Sequence, residues 1–212
     1  MISLFIDTSL SFIRIGLFKD NKLIDYIDEF CDKDLSKLFA KQVRDIFKKN
    51  NLSINSIDKI YAVTGPGSFT GIRIGLTFAK VLGMSLKKEI IPVSELEVLA
   101  STNINTKFVI PLIDARREYV YTGMYDNDLN NVIDDKYILL SDFLNNINDN
   151  DITFVSYNDF NNLSVTRPDI NYEKIIEKFN KRKGINYHLL TPNYLKDTEA
   201  EEKLKKKLNN AY

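Results

Sequence analysis

The sequence predicts an α/β fold of two tandem β-β-β-α-β-α halves, the second one reduced. Three observations point there. Short apolar strands alternate with helix-period segments. The same order of strands and helices runs twice along the chain. And Ile6-Asp7-Thr8 with Gly16-Leu17-Phe18 lies over Ile113-Asp114-Ala115 with Gly123-Met124-Tyr125. In each copy an aspartate ends a strand and a glycine follows 9 residues later in the next. The halves are expected at 1–103 and 104–212, divided in the polar stretch from Ser101 to Lys107.

Leu4-Phe5-Ile6 opens as a buried strand, Asp7-Thr8-Ser9 turns, and Phe12 to Phe18 returns. Leu23 to Phe30 reads as a third, weaker strand. Leu35, Leu38, Phe39, Val43, Ile46 and Phe47 recur at i, i+3, i+4, which predicts an amphipathic helix over 34–50. Ile60 to Val63 is a strand leading into Gly65-Pro66-Gly67, a forced turn, because glycine takes positive φ freely and proline fixes φ. Ser68 or Thr70 caps the helix that follows to about residue 85. In that helix Gly71, Gly75, Ala79 and Gly83 recur every four residues and leave a stripe without side chains. Each interior glycine costs about 1 kcal/mol relative to alanine, so something must pack close to this backbone. A sheet on one side and, on the other, a second helix, of this chain or of another protein, are expected. Glu89 to Val93 is a strand, and Ser94 caps a short helix to Ser101.

The second half reads as strands at 108–113, 118–125 and 136–140, a helix over 141–147 and a strand at 151–155. A helix over 171–182 turns Ile175, Ile176 and Phe179 inward. Residues 187–190 are extended, and a charged helix covers 198–208. The Asn-rich pieces 126–131 and 145–150 are loops.

With 44% hydrophobic residues among 212, a real core can form. Lys+Arg and Asp+Glu are both 29, so no global basic field draws the chain to nucleic acid. The single cysteine, Cys31, excludes an internal disulfide and fits a reducing compartment. The N-terminus lacks a basic segment and Asp7 interrupts its apolar run, so it does not read as a signal peptide. No run approaches the roughly 20 apolar residues of a membrane helix. A cytoplasmic chain with no membrane partner is expected.

Chemistry-bearing residues are few. Gly65 to Gly71 spaces its glycines as neither a P-loop nor a dinucleotide fingerprint. Gly67 and Ser68 still open a helix, whose free N–H groups can hold an anion. The alternative is a tight turn that lets the helix lie flat on the sheet. Asp7, with Thr8 and Ser9, either holds a metal-bound water near a phosphate or caps its own hairpin. One histidine, His188, and one cysteine serve metals poorly. Asp7 and Asp114 belong to different halves. Ser68 has no evident base, and there is no GxSxG elbow. Arg116-Arg117-Glu118 contacts a phosphate or is a solvated turn; Lys205-Lys206-Lys207 brushes RNA or is a solvated face.

Several runs resemble one family. They are Leu4-Phe5-Ile6-Asp7-Thr8-Ser9, Gly65-Pro66-Gly67-Ser68-Phe69-Thr70-Gly71-Ile72-Arg73-Ile74-Gly75, and Pro92-Val93-Ser94 with Leu96. Ile113-Asp114-Ala115-Arg116 and Pro192-Asn193-Tyr194-Leu195-Lys196 extend the likeness over nearly the whole chain. The chain resembles the TsaB family, also called YeaZ, and the GPGSFTGIRIG run is the most specific part. That resemblance implies two actin-like, RNase H-like subdomains. It implies a bacterial, non-catalytic subunit that requires no cofactor of its own, with ATP or ADP admitted at the subunit junction. The implied partner is TsaD, the Kae1-type protein, which carries metal-binding histidines. TsaD transfers a threonylcarbamoyl group to N6 of adenosine 37 in tRNAs reading codons that begin with A. TsaE, an ATPase, cycles the complex; tRNA is met indirectly, and a homodimer uses a similar surface. The interface residues are then Leu38, Phe39, Gly71, Arg73, Gly75, Phe78, Ala79 and Leu82. Residual nucleotide contacts fall on Asp7, Thr8, Ser9, Gly67 and Ser68, and no residue is catalytic.

There are departures from the family pattern. Leu35-Ser36 stands where members often carry His-Ser, and Ser156-Tyr157-Asn158 stands where many show a glycine pair. An active kinase of the actin-like plan usually has a small residue after the first aspartate, where Thr8 stands here. Two rivals need other features. A stand-alone ATP-dependent kinase or transferase would lose turnover with Asp7→Ala, and a peptidase would need an activated nucleophile.

Overall fold

Apolar residues crowd the first thirty positions and produce a meander of β1 (Ile2–Asp7), β2 (Phe12–Lys19) and β3 (Lys22–Phe30). The structure, a computed structural model, describes residues 1–31 and 33–196. The charged helix expected over 198–208 lies outside the described residues. After the meander come α1 (Leu35–Lys49), β4 (Ile57–Val63), α2 (Phe69–Leu86), β5 (Ile90–Val93) and α3 (Glu95–Ala100). The sheet order is β3-β2-β1-β4-β5. β1 pairs antiparallel with β2 and parallel with β4, and β5 runs parallel to β4. A parallel neighbour needs a crossover, and α1 and α2 supply both.

The second half repeats the plan with one strand fewer. β6 (Phe108–Asp114), β7 (Tyr119–Asp126), β8 (Asn131–Leu139), α4 (Leu140–Leu144) and β9 (Ile152–Val155) form a sheet of order β8-β7-β6-β9. β9 is parallel to β6, as β4 is to β1. Even the hairpin tips agree. Asp7 Oδ1 accepts from the Ser9 N–H at 2.7 Å, and Asp114 Oδ1 accepts from the Arg116 N–H at 2.8 Å. This is the two-subdomain α/β architecture expected, with the second half reduced. β8 begins earlier than expected, inside the Asn-rich stretch. Tyr187–Leu189 forms a 3-10 turn capped by Asn186 rather than extended chain.

Among the described residues, four apolar clusters fill the layers. α1 contributes Phe39, Val43, Ile46 and Phe47, and α2 contributes Ile72, Leu76, Ala79 and Leu82, to one face of the first sheet. α3 is buried along its whole length, with Leu96, Leu99 and Ala100 against the second sheet and Val98 against the first. Phe143 of α4 packs on the outer face of the second sheet.

The division at residue 103 separates the two sheets but not the packing. α5 (Tyr172–Phe179) leaves the second half and lays Tyr172, Ile175, Ile176 and Phe179 on Phe5, Phe18 and Tyr61 of the first sheet. Beyond it, Ile185 exchanges backbone hydrogen bonds with Ile90 at 2.9 and 2.8 Å, and the Asn193 N–H donates to the Thr64 carbonyl at 2.8 Å. The reason is apolar supply: the first sheet has a second face to cover, and α5 has the apolar stripe that covers it.

α2 also departs from the sequence reading in one respect. It has 18 residues with a mean hydropathy of 1.2, long and apolar enough by length and composition to cross a membrane. In the fold its small-residue stripe is packed inside.

Candidate functional site

The expected nucleotide residues do meet, at the C-terminal ends of β1 and β4. There the β1–β2 turn faces the loop that opens α2. Gly65 sits at φ +113°, where a Cβ would lie 2.6 Å from the Asn193 carbonyl. The Ser68 N–H donates to the Ser9 carbonyl at 2.6 Å, and that carbonyl stands where a Gly67 side chain would be. The Thr8 carbonyl stands where a Gly71 side chain would be, and Thr8 Oγ1 donates to the Gly71 carbonyl at 2.8 Å. A Cβ at Gly75 would lie 2.5 Å from Thr8 Oγ1. Asp7, Thr8 and Ser9 are at most 1% exposed. The turn therefore fills the space that the glycines of α2 leave.

This corrects the interface expected on the glycine stripe. Gly71, Gly75, Ala79 and Leu82 are buried within the chain, as is Phe39. The close neighbour of the stripe is the chain's own β1–β2 turn, not a second helix. Ser68 caps α2, its Oγ accepting from the Gly71 N–H at 3.2 Å.

Asp7 is held from both sides. Its Oδ2 accepts from Arg14 Nη1 at 2.5 Å, and the same nitrogen donates to Glu95 Oε1 at 2.9 Å. Arg14 is fully buried on β2, and its Nε lies 3.4 Å from Asp28 Oδ1. The rings of Phe12 and Tyr157 flank the guanidinium at 4.8 and 5.3 Å. Burial and the neighbouring Asp7 push the Glu95 carboxyl well above the usual carboxylate range, against the opposing pull of Arg14. Burial pulls the Arg14 guanidinium down, but Glu95 and Asp7 outweigh it and hold it well above its ordinary value. The cluster thus joins β1, β2, α3 and, through Tyr157, the second half. With Oδ1 on the Ser9 N–H and Oδ2 on Arg14, Asp7 caps its hairpin and anchors this cluster. Sequence reasoning missed Arg14, Glu95 and Tyr157. A lone arginine inside the apolar run from Phe12 to Phe18 was the available signal.

Other candidates are dispersed. His188 is exposed, and among the described residues no group of three or more His, Cys, Asp or Glu is placed to hold a metal. Asp114 and Arg116 border a cleft of about 510 Å³ that Gly67, Ser68 and Asn158 also line. Arg116, Arg117 and Glu118 all take positive φ, at 66°, 54° and 66°, which exposes both arginines at the hairpin tip.

The outer side of α2 carries an exposed apolar surface. Between α1 and α2 runs a groove of about 630 Å³, lined by Phe39, Ala40, Phe69, Arg73, Ile74, Phe78 and Val81, with Ser36 at its end. Phe69 and Val81 are 51% and 54% exposed, and Leu38 and Met84 lie beyond the groove at 40% and 53%. Phe39 and Phe78 meet edge to face at 5.1 Å across the helix pair. Tyr194 stacks on Phe69 at 4.9 Å and accepts from Arg73 Nε at 3.1 Å, fixing the end of the groove. Of the expected interface residues, Leu38, Arg73 and Phe78 reach this surface.

Comparison with known proteins gives consistent matches. Residues 27–173 match the family model described as TsaD: tRNA N6-adenosine threonylcarbamoyltransferase. The tRNA threonylcarbamoyladenosine biosynthesis protein TsaB of Bacillus subtilis (strain 168) is 35% identical over 155 residues, 71% of this chain and 68% of that protein. The protein of the same name from Escherichia coli (strain K12) is 32% identical over 131 residues, 60% of this chain and 56% of its own length, less than two thirds of it. Among solved structures, YeaZ from Pseudomonas aeruginosa superposes with a TM-score of 0.76 over 92% of this chain and 99% of its own, at 18% identity.

Proposed function

This chain belongs to the family whose model is described as tRNA N6-adenosine threonylcarbamoyltransferase and within it to the TsaB proteins, also called YeaZ; from that premise we propose that it is an accessory subunit in threonylcarbamoyladenosine formation on tRNA. Its role is to bind and activate a TsaD-type transferase that modifies adenosine 37 in tRNAs reading codons beginning with A, not to perform the transfer. The observation that carries this reading is the contrast between the two sides of α2. On the inner side, Thr8 and Ser9 fill the glycine loop and Arg14 occupies Asp7. On the outer side, an apolar groove lies open between two helices. Exposed apolar patches rimmed by polar residues mark interaction sites. The TsaD-type subunit is the occupant proposed, with a second copy of this chain as its competitor when the chain is alone. A TsaE-type ATPase and any ATP or ADP would act at the junction so formed.

Reconstitution separates a subunit from an enzyme. Threonylcarbamoylation by the TsaD-type protein of the same organism should depend on adding this chain. The isolated chain should turn over no ATP and transfer no group to tRNA. ATP turnover by the isolated chain that is abolished by Asp7→Ala, with fold retained, would replace this reading with the kinase-like one.

A further inference from the structure

α5 has two faces, and only one is explained by packing. Its apolar face covers the first sheet. Its outer face carries Lys174 and Lys178, four residues apart and so aligned along one side, and Lys181 follows in the turn just after the helix. From Lys174 to Lys183 the chain places five cations and one acid, Glu177, although the whole molecule has net charge zero. These lysines do not lie on a flat surface. Together with Glu177 they line a cleft of about 600 Å³ whose opposite wall is the β7–β8 turn, with Asn127, Asp128 and Asn130, so two acids share the cleft with the cations.

The charges in this cleft are unevenly compensated. Arg182 is committed to Glu97, its Nη1 donating at 3.2 Å. Lys178 donates to the neutral Asn130 side chain. Among the described residues Lys174, Lys178 and Lys181 make no ion pair. Burial holds the Lys174 ammonium below its ordinary value, against the upward pull of Asp128 and Asp126, so an added anion would restore what burial removes. Asp126 itself is turned inward to the turn, accepting from Asn130 at 2.8 and 2.9 Å.

We propose that the cleft between α5 and the β7–β8 turn binds backbone phosphates of RNA, placing Lys174, Lys178 and Lys181 against the tRNA substrate. This rests on the subunit reading above and sharpens it, since the chain then touches tRNA directly. Two lysines one helical turn apart, continued by Lys181 in the turn beyond, suit a line of phosphates rather than one small anion. Phosphate contacts of this kind fix position and orientation without reading bases.

The test measures tRNA affinity against salt, using unmodified tRNA and the full chain in complex with the TsaD-type protein. Lys178→Glu/Lys181→Glu should weaken binding by about tenfold or more at low salt and flatten the log–log salt slope by about two phosphates. A control reversal on the β2–β3 turn, Lys19→Glu/Lys22→Glu, should leave affinity and slope unchanged. Light scattering on the same samples reports assembly independently: no complex with the parent chain counts against the subunit reading, and a complex lost only in the α5 variant places these lysines at the protein interface and overturns the phosphate site. An assembled complex whose affinity and slope do not change in the α5 variant overturns the phosphate site. So does an equal loss in the control.

Discussion

Arg14 joins three carboxylates to two aromatic rings inside the molecule, and the cost of removing it should be correspondingly large. Deleting one partner of a buried ionic cluster leaves an uncompensated charge, an effect of roughly 3–5 kcal/mol. The pH dependence belongs to Glu95, whose folded pKa is raised by burial and by Asp7. A raised carboxylate stabilises the fold fully below its unfolded pKa, and that contribution is lost as pH rises through the folded value. Glu95→Gln keeps the shape and removes the ionisation. Thermal melts from pH 4 upward should therefore show the parent losing stability with rising pH more steeply than Glu95→Gln. Parallel curves would mean that Glu95 titrates alike in the folded and unfolded chain, so that burial does not raise it. Little of the cluster was legible in advance. Asp7 announces itself by ending an apolar strand, but its partners depend on Glu95, which lies 81 residues beyond Arg14. Only the folded sheet and the buried α3 bring those groups together.

The glycines of α2 show what the sequence tells about an element and what it withholds. A four-residue stripe of small residues states that something approaches the backbone closely. It does not state what. The approach is made by Thr8 and Ser9, and the two central glycines differ in how rigid that neighbour is. At Gly71 the obstacle is the Thr8 backbone carbonyl, which can move only with β1; at Gly75 it is the Thr8 hydroxyl, which can rotate. Overpacking a tight site costs about 1–3 kcal/mol or more. Gly71→Ala should therefore destabilise the protein clearly more than Gly75→Ala in urea titrations. Stabilisation of both variants would mean that helix propensity, which favours alanine, outweighs contact. Helix positions and the cap Ser94 were readable, and the α2 cap was narrowed to Ser68 or Thr70, because period and capping chemistry are local. The face that α2 buries was not, because both its sides are apolar.

On the scale of the whole molecule, the repeated plan was legible from two aspartates and two glycines, and β8-β7-β6-β9 follows the order of β3-β2-β1-β4, with no counterpart of β5. The return of α5 and residues 185–194 to the first sheet was not legible, because helix amphipathicity does not name its partner. That return has a functional consequence. It puts Tyr194 at one end of the α1–α2 groove and the lysines of α5 on a different surface, so docking and phosphate binding can proceed independently. The direct measurement is light scattering after gel filtration of this chain mixed with the TsaD-type protein of its organism, for the parent and for Val81→Glu. Val81 is 54% exposed in the groove, so a charge there should leave the melting temperature unchanged. The expected result is a 1:1 complex with the parent and separate species with Val81→Glu. A complex that survives Val81→Glu intact, or no complex with the parent, would contradict the assignment of this surface and of the subunit role that depends on it.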